Sequence, residues 1–322
     1  MQHFDGRLGV VTGGGTGMGR ELTGQLVAAG CSVAICDVSD SAMAESRELA
    51  LAGAPAGVSV STFVADVAHE ESMLAFRDHV AATHNTDQLH LLFNNAGIGG
   101  GGSVVLDSRD EWDKVFAVCW GGVYIGTRTF LPMLLAAEEG HVVNTSSVNG
   151  MWACLGANGP HTAYSAAKFA VRGFTEALIV DFRNNAPHLR ASVVMPGHIG
   201  TSIVFNSGRY FDRHPKELTA EHIAVVRSRL GARGLDVSGA SDEDIRGLAL
   251  QQAESFRDSA PMSAGEAATV ILDGVRNNQW RILVGSDAHL IDEMLRADPT
   301  SAYEPTFSAA LRSRGAFGFI PS

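Results

Sequence analysis

Residues 7–19 read RLGVVTGGGTGMG, and this stretch decides the fold. Its first six residues are typical of a short buried strand, and apolar residues then recur at helical spacing over residues 22–27. The glycines between strand and helix allow positive φ angles and a close backbone approach, and the free N–H groups at the helix start suit a phosphate group. A merely flexible turn is the alternative. A second strand-like run at residues 32–37 favours a phosphate-binding β–α–β unit instead.

Strand-like and helical stretches alternate along the rest of the chain. Such alternation implies right-handed βαβ units and a parallel sheet covered on both faces. We therefore predict an α/β fold, a doubly wound (Rossmann-type) parallel sheet in a single domain over residues 1–322, with ligands beyond the carboxyl ends of the strands. The predicted strands are residues 7–12, 32–37, 58–64, 89–94, 141–146, 189–195 and 280–284, and the predicted helices are 18–29, 42–51, 70–82, 109–137, 162–184 and 264–277.

The composition limits the partners and the compartment. The chain of 322 residues has a formal net charge of −11 and no basic run, which argues against nucleic acid or an anionic membrane surface as a partner. Its apolar runs are shorter than a membrane span, and polar residues 1–6 leave no room for a signal peptide. The four cysteines form no C-x-x-C pair, and the 12 histidines show no metal-ligand spacing. We expect a cytoplasmic protein without a metal site.

Tyr164 and Lys168 are the residues that point most directly to chemistry. Four residues apart on a helix, their side chains share one face. A free phenol has a pKa of about 10, and a neighbouring cation favours its ionised form. The pair could therefore act as a general acid/base on an alcohol or a carbonyl. Taken alone, the spacing favours a half-buried tyrosine beside a solvated lysine, and other motifs are needed to support catalysis.

The glycine loop supplies the context for this pair. Its spacing is Thr-Gly-x-x-x-Gly-x-Gly from Thr12 to Gly19, which differs from the G-x-G-x-x-G of the general dinucleotide fold. Together with Tyr164-x-x-x-Lys168, it resembles the short-chain dehydrogenase/reductase family. Further motifs follow in the family's order over residues 5 to about 203, and the resemblance resumes around 265–285. These motifs are Asp66-Val67, Asn94-Asn95-Ala96-Gly97, Val143 to Ser147 (VNTSS) and Pro196 to Thr201 (PGHIGT).

The resemblance implies the roles of the site residues. Ser147 would hold the substrate oxygen, Tyr164 would move the proton, and Lys168 would act on Tyr164 while bonding the nicotinamide ribose. The side chains and backbone expected to border the cofactor are Gly13, Thr16, Gly17, Met18, Gly19, Asp37, Val38, Asp66, Val67, Asn95, Ala96, Gly97, Tyr164, Lys168, Pro196, Gly197, Ile199 and Thr201.

Asp37 predicts that this cofactor is NAD rather than NADP. A carboxylate at the end of the second strand can accept hydrogen bonds from both adenosine ribose hydroxyls, and it would repel a 2′-phosphate. Neither Val38 nor Ser39 nor Thr16 offers the cation that NADP-preferring relatives often carry there. An acidic residue at this point is often only a helix cap, but Asp40 is available for that purpose.

Two segments extend the family pattern. Residues 199–263 contain two amphipathic stretches, and we expect them to form a helical substrate lid, with a surface decoration or an oligomer contact as the alternatives. The tail of residues 286–322 has apolar residues at helical spacing from Leu290 to Leu295. We expect this tail to pack against a neighbouring subunit in a homodimer or homotetramer.

Two departures concern the site itself. Cys119 stands where relatives place an asparagine, and a thiol cannot replace the donors and acceptor of an amide. This puts the family's proton relay through that asparagine and a water in doubt. The stretch between Ser147 and Tyr164 is also longer than in relatives, and its Trp152 and His161 fit ordinary packing as well as a pocket lining.

The sequence thus predicts an NAD-dependent alcohol dehydrogenase or ketone reductase that acts on a medium-sized, fairly apolar secondary alcohol. One alternative is a 3-oxoacyl reductase, which the acidic surface disfavours because acidic acyl carriers prefer basic partners. Another is a catalytically idle NAD-binding or redox-sensing protein, for which Cys119 is the positive sign. The presence of Ser147, Tyr164 and Lys168 argues against an idle protein.

Overall fold

A parallel sheet of seven strands forms the centre of the molecule. The structure is a computed structural model, and it describes residues 1–155, 159–232 and 234–316. The strands of this sheet are β1 (Leu8–Thr12), β2 (Ser32–Asp37), β3 (Val60–Val64), β4 (Leu91–Asn94), β5 (Gly140–Thr145), β6 (Leu189–Pro196) and β9 (Arg281–Val284). Their order is β3-β2-β1-β4-β5-β6-β9, and every neighbouring pair runs parallel. The chain therefore winds outward from β1 in one direction and from β4 in the other, which is the predicted doubly wound arrangement.

Helices cover both faces of the sheet, because alternate residues of each central strand bury their side chains on opposite sides. On β1, for example, Val10 belongs to one apolar cluster and Val11 to the other. The first face is covered by α3 (Glu70–His84), α4 (Arg109–Phe116), α5 (Gly122–Ala136) and α6 (Thr162–Asn185), and the second by α1 (Gly17–Ala28), α2 (Asp40–Leu51) and α10 (Ala264–Arg276). The predicted strands and helices are confirmed, with small shifts at their ends. One refinement is a π-helical turn at Ala117–Gly121 between α4 and α5, inside the predicted helix 109–137.

The insertion after β6 is mainly helical. It contains β7 (Ile199–Gly200), α7 (Ile203–Tyr210), α8 (Ala220–Ala232), α9 (Asp242–Asp258) and β8 (Met262–Ser263), and β7 pairs with β8 at its base. Leu218, Ile223 and Ile245 form a small apolar cluster inside the insertion. The two predicted amphipathic stretches are thus α8 and α9, and they pack on each other through their apolar sides.

The C-terminal tail differs from the expectation that it packs against a neighbouring subunit. Its helices are α11 (Ser286–Ala297) and α12 (Pro305–Ser313). Ile291, Phe307 and Leu311 are buried within this same chain, against Trp152 and the outer side of β6. The indole N–H of Trp152 also donates to the carbonyl oxygen of Ala302, at 2.8 Å. The apolar side of the tail is therefore buried against its own domain.

Within the described residues, no helix has the length and apolar character needed to cross a membrane. The same residues contain no group of three His, Cys, Asp or Glu side chains placed to hold a metal ion.

Candidate active site

The glycine loop between β1 and α1 is packed too closely against its neighbours to accommodate side chains at several of its positions. Gly13 and Gly17 have φ angles of 65° and 54°, which favour glycine. A Cβ atom on Gly13 would lie 2.8 Å from the Cα of Ala96, and one on Gly19 would collide with the carbonyl of Gly13. The loop thus lies directly against the segment after β4 and leads into the N-terminus of α1, where Met18 packs on the core. Free N–H groups at a helix N-terminus, reached through a loop without side chains, are suited to a phosphate group.

Hydrogen bonds fasten this loop to the Asn94–Gly97 segment. The hydroxyl of Thr12 accepts from the backbone N–H groups of Asn95 and Ala96, at 3.0 and 3.1 Å. The amide of Asn95 returns a bond to the carbonyl oxygen of Thr12, at 3.0 Å. The two loops therefore form one rigid wall at the carboxyl edge of the sheet.

Asp37 lies at the end of β2 and faces the glycine loop. One carboxylate oxygen accepts from the N–H of Gly15 at 3.0 Å, and the other accepts from the N–H of Ser39 at 3.1 Å. These two bonds fix the carboxylate in place, while Val38 beside it is exposed. The orientation of the Asp37 carboxylate is thus fixed by the backbone on either side of it.

Asp66 and Val67 follow β3, on the same edge of the sheet. One carboxylate oxygen of Asp66 accepts from the N–H of Ala68, at 2.9 Å. Val67 is buried against Gly122 of α5, where a Cβ atom would lie 2.6 Å from it. The backbone at this point is therefore fixed by packing, and the second carboxylate oxygen of Asp66 accepts from the hydroxyl of Tyr210, at 3.4 Å.

The three predicted catalytic residues come together beyond β5. Ser147 follows the strand, and its hydroxyl hydrogen-bonds the phenol of Tyr164 on α6. The ammonium of Lys168 lies 5.3 Å from the centre of the Tyr164 ring. It also donates to the carbonyl oxygen of Thr145, at 2.8 Å, which holds it beneath the tyrosine. A buried bond from the Ser146 hydroxyl to the carbonyl of Lys168, at 2.7 Å, joins β5 to α6 here.

Burial governs the protonation of Tyr164 and Lys168. Removal from water raises the pKa of Tyr164, a nearby Cys119 raises it further, and the bond from Ser147 opposes the rise. Burial also lowers the pKa of Lys168. This differs from the expectation that the lysine lowers the tyrosine's pKa, because desolvation is the largest influence on the phenol. The phenol is thus held protonated in this enclosed site.

The loop after β6 closes the far side of the cleft. Gly197 donates its N–H to the carbonyl of Val284 at 2.9 Å, and Ile199 is buried. Thr201 approaches the glycine loop, where a Cβ on Gly17 would lie 3.2 Å from its methyl group. Pro196 ends β6, so this loop begins at the same carboxyl edge of the sheet as the glycine loop and the Asn94–Gly97 segment.

Comparison with known proteins agrees with this geometry. The sequence profile of short chain dehydrogenases matches residues 8–209. The chain belongs to the short-chain dehydrogenase/reductase family. Relatives include SadH of Mycobacterium tuberculosis, which is named as an oxidoreductase and is 34% identical over 92% of each chain. Levodione reductase of Leifsonia aquatica is 33% identical over 70% of this chain and 82% of its own. Cyclopentanol dehydrogenase of Comamonas sp. is 34% identical over 62% of this chain and 76% of its own.

Solved structures show the same fold. A short-chain dehydrogenase/reductase from Burkholderia phymatum in complex with NAD has a TM-score of 0.74 and 29% identity, over 94% of this chain and 95% of that one. A metagenomic short-chain oxidoreductase in complex with NADP has a TM-score of 0.53 and 29% identity, over 60% of this chain and 83% of that one. The chain is therefore an oxidoreductase of a family that binds a nicotinamide cofactor.

Cys119 occupies a special position in this short-chain dehydrogenase. It lies in the π-helical turn and is fully buried, and its thiol donates to the carbonyl oxygen of Ile98, at 3.2 Å. It also lies close to Gly97, where a Cβ atom would be 3.5 Å from the Lys168 nitrogen and 3.7 Å from the Cys119 sulfur. The cysteine thus links the π-helical turn to the segment that follows β4, although its thiol cannot make the hydrogen bonds of an asparagine amide.

One site residue, Asp287, could not be identified from the sequence. Asp287, at the start of α11, accepts from the N–H of His198 at 2.6 Å, and its carboxylate fills the space beside Gly197. It therefore positions the backbone of the 196–201 loop. Nothing in the sequence distinguishes this aspartate from an ordinary helix cap. Behind the site, the buried amides of Asn94 and Asn144 are bonded at 2.8 Å and link β4 to β5.

The longer stretch before α6 takes part in packing and in the site's wall. Trp152 is buried against the tail, as described above. His161 stacks on the ring of Tyr164, with centroids 4.6 Å apart and planes 18° apart. Residues 156–158 of this stretch lie outside the described residues.

Proposed function

We propose that this chain is an NAD-dependent alcohol dehydrogenase or ketone reductase that acts on medium-sized, apolar secondary alcohols and their ketones. The observation that carries the proposal is the junction of Ser147, Tyr164 and Lys168 beside a glycine cradle. The names of two relatives support the substrate class, since one refers to levodione and the other to cyclopentanol, a cyclic secondary alcohol.

The catalytic roles follow from the contacts of the three side chains. Ser147 and Tyr164 present two hydroxyl groups to one point, so a carbonyl oxygen there accepts both bonds. Because burial keeps Tyr164 protonated, it can deliver a proton to that oxygen as the carbonyl is reduced. That donation leaves a phenolate, which the ammonium of Lys168 stabilises; in the opposite direction the phenolate takes the proton from the alcohol and becomes the phenol again. The nicotinamide cofactor, when bound, supplies or accepts the hydride.

NAD is the proposed cofactor on the basis of Asp37. Both oxygens of its carboxylate are held by backbone N–H groups, so it cannot turn away from an added phosphate. The cation nearest this loop, Arg20, is bonded to the carbonyl of Gly15 at 2.9 Å and to Glu45 at 2.8 Å. Its positive charge is therefore already paired with Glu45 and is not free to neutralise a 2′-phosphate.

The proposed substrate lid is the insertion of residues 199–263. Arg229 of α8 pairs with Asp107 at 2.7 Å and with Glu111 of α4 at 3.2 Å, and both carboxylates are buried. These contacts hold the insertion over the loop that precedes α4. Replacement of residues 221–257 by a short Gly/Ser linker should spare NADH binding and raise the KM for bulky substrates. A change of oligomeric state with unaltered kinetics would instead make this segment an interface.

A substrate screen tests the central proposal. NADH oxidation is followed with a panel of cyclic, aryl and aliphatic ketones, and NAD reduction with the matching alcohols. A 3-oxoacyl thioester is included, because its selective reduction would support the acyl reductase instead. Turnover of apolar ketones is the expected result. A protein that binds NADH tightly but reduces no carbonyl in the panel would be an idle binder.

A further inference from the structure

The imidazole of His161 lies against the ring of the proposed acid/base tyrosine. His161 and Tyr164 are three positions apart at the start of α6, so their side chains are neighbours on one face of the helix. Their ring centroids are 4.6 Å apart and their planes differ by 18°, which is a stacked arrangement. The imidazole therefore covers one face of the phenol ring.

His161 holds the N-cap position of α6, but its side chain does not cap the helix. Ser, Thr, Asp and Asn are preferred at this position, because their short side chains accept from the first free N–H groups of a helix. Here the N–H groups of Thr162 and Ala163 donate to the carbonyl oxygens of Gly102 and Gly101 instead, at 2.9 and 3.0 Å. Capping thus does not require the imidazole, which is placed on Tyr164.

The backbone that carries His161 is held on two sides. On one side the loop after β4 presses on the start of α6, since a Cβ atom on Gly101 would lie 2.6 Å from the Cβ of Ala163. On the other side Cys154 and Pro160 form an antiparallel bridge within the longer stretch before α6. The imidazole therefore has a fixed support directly before the residue on which it stacks.

The stack acts together with the other contacts of Tyr164. The phenol hydroxyl bonds Ser147, and the ammonium of Lys168 lies 5.3 Å from the ring centre, one turn further along α6. The ring thus lies between a group from the preceding turn and a group from the following turn. Rotation of the ring about its side-chain bonds would break the stack with His161. The stack therefore favours the orientation in which the hydroxyl meets Ser147.

We propose that His161 is a positioning residue for the reaction: by stacking on Tyr164 it keeps the phenol directed to Ser147 and shields the ring from water. This inference rests on the proposed function. The role depends on the flat ring of residue 161 and not on a proton carried by the imidazole. It concerns the turnover of bound substrate rather than the affinity for the cofactor, because the contact is with the acid/base group.

The first test is steady-state reduction of the best ketone of the panel by the full-length protein. His161→Ala removes the stack, whereas His161→Phe keeps a flat ring at the same position. His161→Ala should lower kcat by roughly three- to tenfold, the size expected for the loss of one aromatic pair. The KM and the NADH affinity should stay within about twofold of wild type. His161→Phe should restore most of the kcat and leave its pH profile unchanged.

The second test reports the cover of the ring without any turnover. Tetranitromethane nitrates accessible tyrosines, and peptide mass spectrometry locates the modified residue. Tyr164 should be nitrated faster in His161→Ala than in wild type, and at the wild-type rate in His161→Phe. Tyr124, which is exposed on α5, is the internal reference and should react equally in all three proteins.

His79→Ala is the matched control. It removes a comparable contact of an imidazole with an aromatic ring, that of Phe63, whose centroid is 5.1 Å from that of His79. His79 lies on α3, outside the site. This variant should leave both the kcat and the nitration rate of Tyr164 at their wild-type values.

The outcomes separate this inference from the proposed function. Wild-type kcat in His161→Ala would overturn the positioning role and leave the proposed function standing. An equal loss of kcat in His161→Phe would do the same, since the flat ring would then not be the feature that matters. If wild type reduces no carbonyl, the proposed function fails. Nitration then decides on the contact itself: faster modification of Tyr164 in His161→Ala would support it, and equal rates would overturn it.

Discussion

Asp37→Asn should weaken the preference for NADH over NADPH. The substitution keeps the shape of the side chain and removes its charge. In the wild type both carboxylate oxygens are bonded to backbone N–H groups, of Gly15 and Ser39, so the carboxylate stays in place when a 2′-phosphate approaches. NADPH binding must therefore bring two negative groups together.

The size of the effect follows from Coulomb's law. Two unit charges about 4 Å apart repel by about 1 kcal/mol in bulk water and by about 4 kcal/mol near a protein surface. A phosphate carries about 1.5 to 2 negative charges at neutral pH, so even the aqueous value gives about 1.5 to 2 kcal/mol. Wild type should thus bind NADH at least about tenfold more tightly than NADPH. Asp37→Asn should reduce this ratio to about threefold or less.

The assay is fluorescence titration of both cofactors at one fixed ionic strength. Asp40→Asn serves as the control, because Asp40 is an exposed carboxylate at the start of α2 and changes the net charge equally. It should leave the NADH/NADPH ratio near the wild-type value. Equal affinities of wild type for the two cofactors would refute the role given to Asp37. An unchanged ratio in Asp37→Asn would do so as well.

Three further predictions concern residues around the site and in the core. Cys119→Ala should lower kcat by less than about tenfold, because the thiol makes only a weak hydrogen bond, to the carbonyl oxygen of Ile98. A complete loss of turnover would show that the cysteine takes part in proton transfer. Asp287→Asn should weaken NADH binding about fivefold in the same titration. The buried carboxylate accepts a hydrogen bond from the 196–201 loop, and the loss of its charge should weaken that bond by about 1 kcal/mol. Unchanged NADH binding would show that Asp287 does not position this loop. Burial lowers the pKa of His141 from its ordinary value of 6.5 to about 3, so the unfolded chain takes up a proton as the pH falls through 6.5 while the folded chain does not. Between pH 7 and pH 5 the free energy of unfolding, measured by urea titration, should therefore fall by about 2 kcal/mol less in His141→Gln than in wild type. Equal decreases in the two proteins would contradict the lowered pKa of His141.

The sheet and its helices could be predicted because the signals are local. Buried parallel strands are continuous apolar runs, and the glycine loop of residues 13–19 marks the first crossover. The site residues could be located for a related reason: the carboxyl ends of parallel strands meet at one edge, so motifs that follow different strands come together there. Ser147, Tyr164 and Lys168 meet as the resemblance implied.

The remaining features depend on contacts between distant segments. The amphipathic tail was expected to meet a neighbouring subunit, but an apolar helix side can also be covered by its own domain. Trp152, in the longer stretch before α6, provides the cover that the sequence pattern could not reveal. Likewise, the protonation of Tyr164 depends on how deeply it is enclosed, which spacing to Lys168 does not report. The position of α7 over Thr16 and Asp66 joins residues more than 100 positions apart.

The most direct test of the central claim is the turnover of Tyr164→Phe. The substitution removes the hydroxyl that Ser147 bonds and keeps the ring that stacks on His161, so the site should stay folded. Tyr124→Phe is the matched control, because Tyr124 is an exposed tyrosine on α5. With the best ketone from the panel, Tyr164→Phe should lower kcat by about 10² to 10⁴, with NADH affinity within a few-fold of wild type and the control unaffected. Near-normal turnover in Tyr164→Phe would show that the proton passes through another group and would contradict the account.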